Sequence, residues 1–392
     1  MRNRKTGALV ALLATLAAVL AATAATAPAA QSKPIVIGWA FDSKGNMAPF
    51  DNPALAAAKI QVNQLNAKGG VLGRKLQIKT CDTQNNNPAK AKSCAASLIG
   101  AGADIMFVTC DVDYATPVVQ EALNRGMLAI APCIGTDQMG PKRFGKKGKL
   151  AFSFGNVAQD EGSAMAQYAW SRGWKTAATA TNTLLVYFKN VVQAFEARFT
   201  QLGGKIVDRE TYATGANNVN NAVSRLNGVD ADVVVTSTSF GELPALVAGL
   251  RTLGNNVPIL NSWAGDGTYW LPKSPSISNY YAVTFASAFG DDPSKAVNAL
   301  AKKVKAGTGG FVTGAAAIDG VVTAIKRAKG STDGAKLAAQ MERFKKVPTI
   351  SGLVSFSPQL HTVFGRQYRV LRIQDSKPKI VATVTAKVVP KI

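Results

Sequence analysis

The sequence predicts an α/β protein that consists of two Rossmann-like lobes in tandem. Short apolar segments of strand length alternate with longer amphipathic segments, an order typical of parallel sheets covered by helices. The series of helix, Gly-Gly, edge strand, helix, buried strand, helix, glycine and strand occurs twice, near residues 53–132 and 190–260. At 392 residues with 47% hydrophobic residues, the chain is long enough for two such lobes.

The N-terminus carries a targeting pattern. Three basic residues within the first five positions precede an uncharged apolar run from Gly7 to about Ala25, and Ala27–Ala29 offers small residues for cleavage. We expect a secretory signal peptide over residues 1–30 and a mature protein in the periplasm or another extracytoplasmic space. A membrane anchor is the alternative, which the weak hydrophobicity of this Ala-rich run disfavours.

After this segment the chain opens with a strand, a helix and a second strand. Ile35–Gly38 is apolar and predicts a buried strand. A loop of turn-forming residues follows, and Asn52 can cap a helix with Pro53 at its first position, where the missing N–H costs nothing. Gly69-Gly70 ends that helix, and the alternation over Leu76–Cys81 predicts a strand with one solvated face. Together they predict a right-handed βαβ unit.

The remaining elements follow from the same signals of apolar period, caps and glycines. The first lobe continues with helix Asn87–Ile99, strand Ile105–Thr109, a helix from Thr116 to Gly126 and strand Met127–Pro132. The second lobe is predicted to contain helix Gln159–Arg172, strand Thr176–Thr181, helix Asn190–Leu202, strand Lys205–Glu210, helix Asn217–Leu226, strand Asp232–Thr236, helix Glu242–Leu253 and strand Val257–Leu260.

The chain is predicted to cross between the lobes at least three times. The expected crossings are Phe152–Phe154, the strand Tyr280–Phe285, which returns the chain to the first lobe, and Ser351–Pro358. Three amphipathic helices near 293–306, 313–328 and 334–344 lie between the last two, and a hairpin turns at Asp375–Pro378. The first lobe would then comprise residues 34–152 and 286–350, and the second residues 153–285 and 351–388.

The opening unit also carries a family resemblance. An ordered series of motifs forms it: Gly38, Phe50, Ala56-Ala57, Asn63, Leu65-Asn66, Gly69-Gly70, Gly73-Arg74-Lys75 and Asp82. This series resembles the opening of the branched-chain-amino-acid-type, leucine-binding-protein-like solute-binding proteins of ABC transporters, and the resemblance runs from about Lys33 almost to the C-terminus. It implies the type I periplasmic binding fold, with a multi-crossing hinge that closes two lobes around a small molecule and a membrane permease as partner.

Two α/β lobes place ligand chemistry at the carboxyl ends of their strands, where loops and helix N-termini converge. The loops expected to face each other are Trp39–Phe50, Thr109–Thr116 and Cys133–Asp137 from the first lobe and Asn182–Phe188, Ser237–Gly241 and Asn261–Tyr269 from the second.

The resemblance assigns roles to residues in these loops. In relatives that bind amino acids, a hydroxyl-bearing loop after the third strand and a Ser-Ala-Thr-like turn after the fourth hold the ligand's carboxylate. The matching segments here are about Asp111–Ala115, which includes Asp113 and Tyr114, and Cys133-Ile134-Gly135, where most hydroxyls are gone. The acidic residue that binds the ammonium group in those relatives matches Trp263, with Asp266 three residues later.

These departures favour a different ligand. An aromatic residue of the second lobe in the relatives matches Ser239, with Phe240 beside it, and Phe50 and Tyr187 keep the aromatic character that the family often has. With Tyr114 and Trp263, these rings could wall a cleft for a flat or apolar ligand. The alternative is that two or three of the rings pack the cores of their own lobes.

The three acidic residues of the loops, Asp111, Asp113 and Asp266, leave more than one role open. They could bind a donor on the ligand, cap helices or join the lobes by salt bridges.

The four cysteines of an exported chain predict two disulfides. Cys110 and Cys133 end two strands that we expect to be parallel neighbours, about 4.8 Å apart, which is within the Cα separation that a disulfide tolerates. Cys81 then pairs with Cys94. Related proteins sometimes link the loops after the second and third strands, so the alternative Cys81–Cys110 remains open.

The net charge and the motifs of the chain limit its possible partners. Removal of residues 1–30 takes three charges from the formal +22 and leaves +19, which favours encounter with anions. Nucleic acid is disfavoured because no aromatic-basic recognition motif is present. The basic cluster over residues 142–149 is interpreted as a solvated loop.

A catalytic site is not indicated. The chain lacks a G-x-S-x-G elbow and a P-loop pattern, and its single histidine, His361, is predicted to be a structural residue on a surface turn. We therefore predict a monomeric, non-enzymatic solute-binding protein without cofactor or metal. The alternative function is a ligand sensor that presents its closed form to a receptor, and a hydrolase on this scaffold is less favoured still.

Overall fold

Two β-sheets organise the part of the chain that the structure, a computed structural model, describes, which is residues 33–392. The predicted signal peptide, residues 1–30, lies outside the described residues. None of the helices within residues 33–392 combines the length and the apolar character that crossing a membrane requires.

The strands, in chain order, are β1 (Ile35–Phe41), β2 (Leu76–Asp82), β3 (Ile105–Phe107), β4 (Leu128–Ala131), β5 (Ala151–Asn156), β6 (Thr176–Asn182), β7 (Lys205–Tyr212), β8 (Val233–Ser237), β9 (Ile259–Asn261), β10 (Tyr280–Thr284), β11 (Val347–Thr349), β12 (Gly352–Val354), β13 (Thr362–Val363), β14 (Tyr368–Gln374) and β15 (Lys377–Val384).

The helices, in chain order, are α1 (Ala48–Ala67), α2 (Pro88–Gly100), α3 (Val112–Asn124), α4 (Pro141–Phe144), α5 (Ala158–Ser171), α6 (Val186–Gln201), α7 (Ala216–Asn227), α8 (Glu242–Thr252), α9 (Lys295–Val304), α10 (Phe311–Arg327) and α11 (Gly334–Met341).

The two sheets share one strand order. The first runs β13-β5-β4-β3-β1-β2, and all of its pairs are parallel. The second runs β15-β14-β10-β9-β8-β6-β7, where the pairs from β10 to β7 are parallel and the β14–β15 hairpin joins β10 antiparallel. Five strands of each sheet therefore follow the order 2-1-3-4-5, which confirms the predicted α/β fold and explains the duplicated pattern.

The crossings lie later in the chain than the sequence predicts. All of β5 belongs to the first sheet, and β13 pairs with it: Ser153 N donates to the carbonyl of His361 at 2.8 Å, and Val157 N to that of Val363 at 2.9 Å. Residues 153–156 and 362–363, expected in the second lobe, thus belong to the first sheet. The strand β10 lies in the second sheet, so the return to the first lobe follows it.

Several helices begin earlier than predicted. The carboxylate of Asp42 accepts hydrogen bonds from Gly45 N at 2.8 Å and Met47 N at 3.1 Å, and the loop closes early enough for α1 to start at Ala48. Asn52 is therefore not a cap, and Pro53 lies inside the helix.

The next loops show the same shift and one further difference. Asp111 caps α3, which starts at Val112 instead of Thr116. The basic cluster over residues 142–149 is not an open loop, since it folds into α4 and a 3-10 turn over Gly145–Leu150.

Candidate functional site

The facing loops of the two lobes enclose a small space, called here the interlobe cavity. It adjoins the carboxyl ends of β3 and β8 and the N-termini of α3 and α6, near the point in each sheet where the strand order reverses. Its volume is about 20 Å³, room for about one water molecule. It is lined by Met47, Phe50, Cys110, Asp111 and Gly135 from the first lobe and by Leu185, Tyr187, Phe188, Ser239, Phe240, Trp263 and Ala264 from the second.

The structure brings most of the predicted site residues to this cavity. Those that line it are Phe50, Asp111, Gly135, Tyr187, Ser239, Phe240 and Trp263. Four predicted residues lie outside its lining: Asp113, Tyr114, Cys133 and Asp266. Sequence reasoning missed the aliphatic contributors Met47 and Leu185, which carry no signal that separates them from core residues.

An aromatic cluster spans the boundary between the lobes. The ring of Phe50, in the first turn of α1, meets the ring of Trp263 edge to face, with centroids 5.0 Å apart and planes at 79°. Tyr187 approaches Trp263 from the second lobe at 6.1 Å. Trp263 also packs on Phe285 at 5.1 Å, so the cluster is continuous with the core of the second lobe. The rings therefore fill both predicted roles, cavity wall and core.

Phe50 is held in place by its neighbour Asp51. The Asp51 carboxylate accepts hydrogen bonds from Asp42 N at 2.8 Å, from the Thr109 hydroxyl at 2.7 Å and from Cys110 N at 2.9 Å, which ties α1 to the ends of β1 and β3. Burial raises the pKa of Asp51 to about 7. This side chain was not predicted as part of the site, although an acidic residue in an apolar first turn is a signal for it.

Gly135 lets the two lobes touch. A Cβ atom built at this position would lie 2.6 Å from Cε2 of Tyr187, a distance that real side chains do not adopt. The ring of Tyr187 thus lies directly on the backbone of the first lobe. A glycine is required here for close approach and not for an unusual backbone angle.

Asp113 joins the lobes at the rim of the cavity. Its Oδ1 lies 2.7 Å from Nη1 of Arg143, and its Oδ2 accepts a hydrogen bond of 3.3 Å from Val186 N in the first turn of α6. A carboxylate at this end of a helix is favoured by the helix dipole. The half-buried Tyr114 beside it lies outside the cavity lining.

Asp111 serves as a cap and also faces the cavity. Its Oδ1 accepts hydrogen bonds from Asp113 N at 2.8 Å and from Tyr114 N at 3.3 Å. Burial, and then the nearby charge of Asp113, raise the pKa of Asp111 to about 7. Near neutral pH the charged and neutral forms of Asp111 are therefore close in free energy, and a charge placed nearby would favour one of them.

Asp266 lies outside the cavity lining, and its Oδ1 is buried without a hydrogen-bond partner in the described part of the chain. Its Oδ2 accepts hydrogen bonds from the hydroxyl of Thr284 and, at 2.9 Å, from Gly309 N, in the segment that leads into α10. Burial raises the pKa of Asp266 to about 7. This geometry differs from the three roles considered from the sequence, because Asp266 links the second lobe to the returning chain by hydrogen bonds and not by a salt bridge.

Glu161, in the first turn of α5, supports the aromatic wall from behind. Its Oε1 accepts a 2.7 Å hydrogen bond from Trp263 N, and its Oε2 accepts one of 2.8 Å from the hydroxyl of Tyr187. Burial raises the pKa of Glu161 to about 8, and within residues 33–392 no Lys, Arg or His forms an ion pair with it. Sequence reasoning missed it, although Gln159-Asp160-Glu161 is a polar run with two acidic residues in the first turn of this helix.

Tyr269 anchors the remaining second-lobe loops. Its hydroxyl hydrogen-bonds that of Ser239 at 2.8 Å and also contacts the carbonyl of Ala264, while its ring lies 5.7 Å from Phe50. The adjacent Phe240 has φ +54°, a left-handed conformation that is strained for a bulky residue. The loop therefore holds the Phe240 ring against those of Phe50 and Phe188.

The disulfide pairing predicted from the strand ends is confirmed. Cys110 and Cys133 are bonded with Cα atoms 4.8 Å apart, and the strands that they follow, β3 and β4, are parallel neighbours. Cys81 is bonded to Cys94, so the alternative Cys81–Cys110 pairing is excluded.

His361 lies in the core and not on a surface turn. Its ring stacks on Phe152 with centroids 4.0 Å apart, and its Nδ1 lies 3.0 Å from the carbonyl of Ala151. Burial lowers its pKa. Among residues 33–392 there is no group of three His, Cys, Asp or Glu side chains that could hold a metal ion.

Comparisons with known proteins agree with this architecture. A family model described as periplasmic binding protein matches residues 34–378. The Leu/Ile/Val-binding protein BraC3 of Rhizobium johnstonii is 24% identical over 329 residues, which cover 82% of this chain and 87% of the relative. The Leu/Ile/Val-binding protein homolog 3 of Brucella melitensis is 23% identical over 325 residues, with coverages of 82% and 87%.

Solved structures show the same fold with different ligands. LivJ from Streptococcus pneumoniae in complex with isoleucine gives a TM-score of 0.77 at 19% identity, over 90% of this chain and 99% of that one. A solute-binding protein from Rhodopseudomonas palustris in complex with 3,4-dihydroxybenzoic acid gives 0.76 at 18% identity, over 91% and 99%. Another from R. palustris, in complex with benzoate, gives 0.73 at 19% identity, over 91% and 98%.

Proposed function

The chain belongs to the periplasmic binding protein family, the solute-binding proteins of ABC transporters, and from this premise we propose that it captures an aromatic carboxylate between its lobes for uptake by a permease. Leucine, isoleucine and valine would bind more weakly. The observation that carries the proposal is the aromatic wall of the interlobe cavity, together with the position of Asp266 outside the cavity lining.

The aromatic wall favours a flat ligand. Trp263 and Phe50 come from opposite lobes and are in edge contact, so a ring inserted between them can stack on one and meet the edge of the other. Because the cavity has a volume of only about 20 Å³, entry requires the lobes to separate. Closure on the ligand would then restore contacts such as that between Gly135 and Tyr187.

The polar groups argue against an α-amino acid. A buried ammonium group needs a carboxylate beside it, because an unpaired buried cation costs several kcal/mol. Asp266 and Glu161 lie outside the cavity lining, where Oδ2 of Asp266 accepts hydrogen bonds from Thr284 and Gly309 and Glu161 accepts them from Trp263 N and Tyr187. Asp111 is the acidic residue of the lining, and burial raises its pKa to about 7, which disfavours the charged form that an ammonium group requires. The ligand's carboxylate would instead lie near the backbone N–H of Gly135, the residue of the Cys133-Ile134-Gly135 turn that lines the cavity.

Ligand binding is coupled to the protonation of Asp111. It faces the cavity and has a pKa of about 7, raised by burial. A ligand carboxylate beside it would raise that pKa further, so Asp111 would take up a proton on binding. Affinity for the anion should therefore increase as the pH falls from about 8 to about 6, and Asp111→Asn should flatten this dependence.

Calorimetric titration tests the proposal. We expect benzoate or 4-hydroxybenzoate to bind more tightly than leucine, and Trp263→Ala to weaken the aromatic ligand by roughly 30-fold or more. Trp174→Ala, which removes a second-lobe ring that packs on Tyr168 and Tyr281, is the matched control. Tight leucine binding that survives Trp263→Ala and is lost in Asp266→Asn would overturn the proposal and restore the amino-acid ligand.

A further inference from the structure

A second concavity lies on the second lobe, between α5, the end of α6 and the β14–β15 hairpin. We call it the basic groove. Its volume is about 830 Å³, a size typical of sites that hold an organic ligand. It shares no lining residue with the interlobe cavity.

The charged residues that line the basic groove are all positively charged. Arg172, Arg198, Arg372 and Lys387 line it, and among the lining residues in the described chain there is no Asp or Glu. None of the four cations forms an ion pair within residues 33–392. A concave surface with this charge attracts anions beyond the general field of the basic chain.

Two of the arginines have buried donors that no acceptor in the described part of the chain satisfies. Nε of Arg198 and Nε of Arg372 are both buried without a hydrogen-bond partner there. A buried N–H group left without an acceptor costs free energy, which a carboxylate or phosphate oxygen would recover. The guanidinium fork matches such oxygens in a bidentate geometry.

The floor of the groove is aromatic. The rings of Tyr168 and Tyr281 lie 6.0 Å apart, and the guanidinium carbon of Arg372 lies 5.8 Å from the Tyr281 ring. Burial raises the pKa of Tyr168 to about 12, and the charges of Arg172 and Arg372 both act on its hydroxyl in the opposite direction. The two rings are inclined by 48° and each tyrosine is only 5% exposed, so they form a partly apolar floor beneath Arg372 and not a flat stacking surface.

We propose that the basic groove is a second ligand site, separate from the interlobe cavity, which binds a polyvalent organic anion. The acidic groups of the ligand pair with the three arginines, and its apolar part lies between them, against a lining that includes the exposed Val381. A ligand with a single acidic group would leave most of these donors unsatisfied, so the site selects for more than one charge.

Benzene-1,3,5-tricarboxylate is a suitable probe, because its ring is flat and its three carboxylates can each meet a guanidinium fork. The neutral benzene-1,3,5-tricarboxamide has the same shape without the charge. In calorimetric titration at physiological ionic strength we expect saturable 1:1 binding of the tricarboxylate and none of the triamide. Arg198→Gln and Arg372→Gln should each weaken the tricarboxylate by about tenfold or more.

Two control variants test whether the tricarboxylate binds in the basic groove. Lys302→Gln removes an equal charge from an exposed position on α9 and should leave the affinity unchanged, while Trp263→Ala should leave it unchanged because the interlobe cavity is not involved. Arg172→Gln, at an exposed position, tests the groove with the least effect on folding, which thermal melts of each variant would verify. Absence of saturable binding, equal losses in Lys302→Gln, or loss in Trp263→Ala would each overturn the proposal.

Discussion

The two lobes share one strand order but bring different chemistry to the interlobe cavity. The first lobe contributes one aromatic ring, that of Phe50, beside the non-aromatic residues Met47, Cys110, Asp111 and Gly135. The second contributes most of the rings, among them Tyr187 and Trp263. Because the sheets are alike and the loops are not, ligand preference resides in the loops that a common scaffold presents.

The lobes also differ in what holds these loops in place. Both disulfides lie in the first lobe, and one of them joins the ends of β3 and β4 beside the cavity. The aromatic wall of the second lobe rests instead on hydrogen bonds to the buried carboxyl of Glu161. The first-lobe side of the cavity thus has a covalent link in addition to its buried carboxyl Asp51, whereas the second-lobe wall rests on hydrogen bonds to Glu161 without a disulfide, a difference that the following predictions test.

The largest effect should follow loss of the covalent link in the first lobe. Substitution of both Cys110 and Cys133 by Ser opens a bridge between residues 23 positions apart, and we expect a loss of about 3 kcal/mol in the free energy of unfolding. Urea denaturation measures it. The pair Cys81→Ser and Cys94→Ser is the matched control, since it should also destabilise the protein but leave ligand affinity less affected, because neither residue lines the cavity.

The second-largest effect should follow a substitution that fills the contact between the lobes. Gly135→Ala places a Cβ against the ring of Tyr187 and should weaken ligand binding by about 1–3 kcal/mol, because the closed form becomes overpacked. Gly100→Ala, where a Cβ meets no atom within 4 Å, is the control. Small-angle scattering with bound ligand should show a larger radius for Gly135→Ala than for the wild type, and equal radii would contradict the assigned contact.

The contribution of Glu161, in the second lobe, to the free energy of unfolding should depend on pH. Burial raises the folded-state pKa of Glu161 to about 8 from its ordinary value of 4.5, so its contribution to stability is full below its unfolded pKa and is lost as pH rises through about 8. The free energy of unfolding of the wild type should fall between about pH 5 and about pH 8, and less so in Glu161→Gln. The half-exposed Glu121→Gln serves as control, and an identical slope in all three proteins would refute the assignment.

The smallest effect should follow a substitution of Asp113 at the rim of the interlobe cavity. Asp113→Asn weakens the ion pair with Arg143 and the hydrogen bond from Val186 N, and we expect ligand affinity to fall by about 1 kcal/mol or less, with the difference shrinking at high salt. Asp333→Asn, which alters the cap of α11 within the first lobe, is the control. A salt-independent loss in Asp113→Asn would show that the contact is not electrostatic.

Local signals accounted for much of the site as well as of the fold. The apolar strands, the glycines that end helices and the repeat of the pattern predicted both sheets, and the ends of the strands predicted the loops where Phe50 and Trp263 meet. Helix starts were less well predicted, because Asp42 and Asp111 close their loops through side-chain hydrogen bonds. Such bonds depend on geometry that spacing alone does not express.

The sequence by itself determined the order of elements and the two lobes, since each follows from periodicity and from neighbours along the chain. It favoured the observed disulfide pairing but left Cys81–Cys110 open, and the structure excluded that alternative. Only the tertiary structure decided where the carboxyl groups point. Asp266 meets Gly309, 43 residues away, and Glu161 meets Trp263, 102 residues away. The contact of Asp266 follows the return of the chain to the first lobe, whereas Glu161 and Trp263 meet within the second lobe through the packing of its helix and loop. In both cases an acidic residue carries no local mark of which distant N–H group will donate to it.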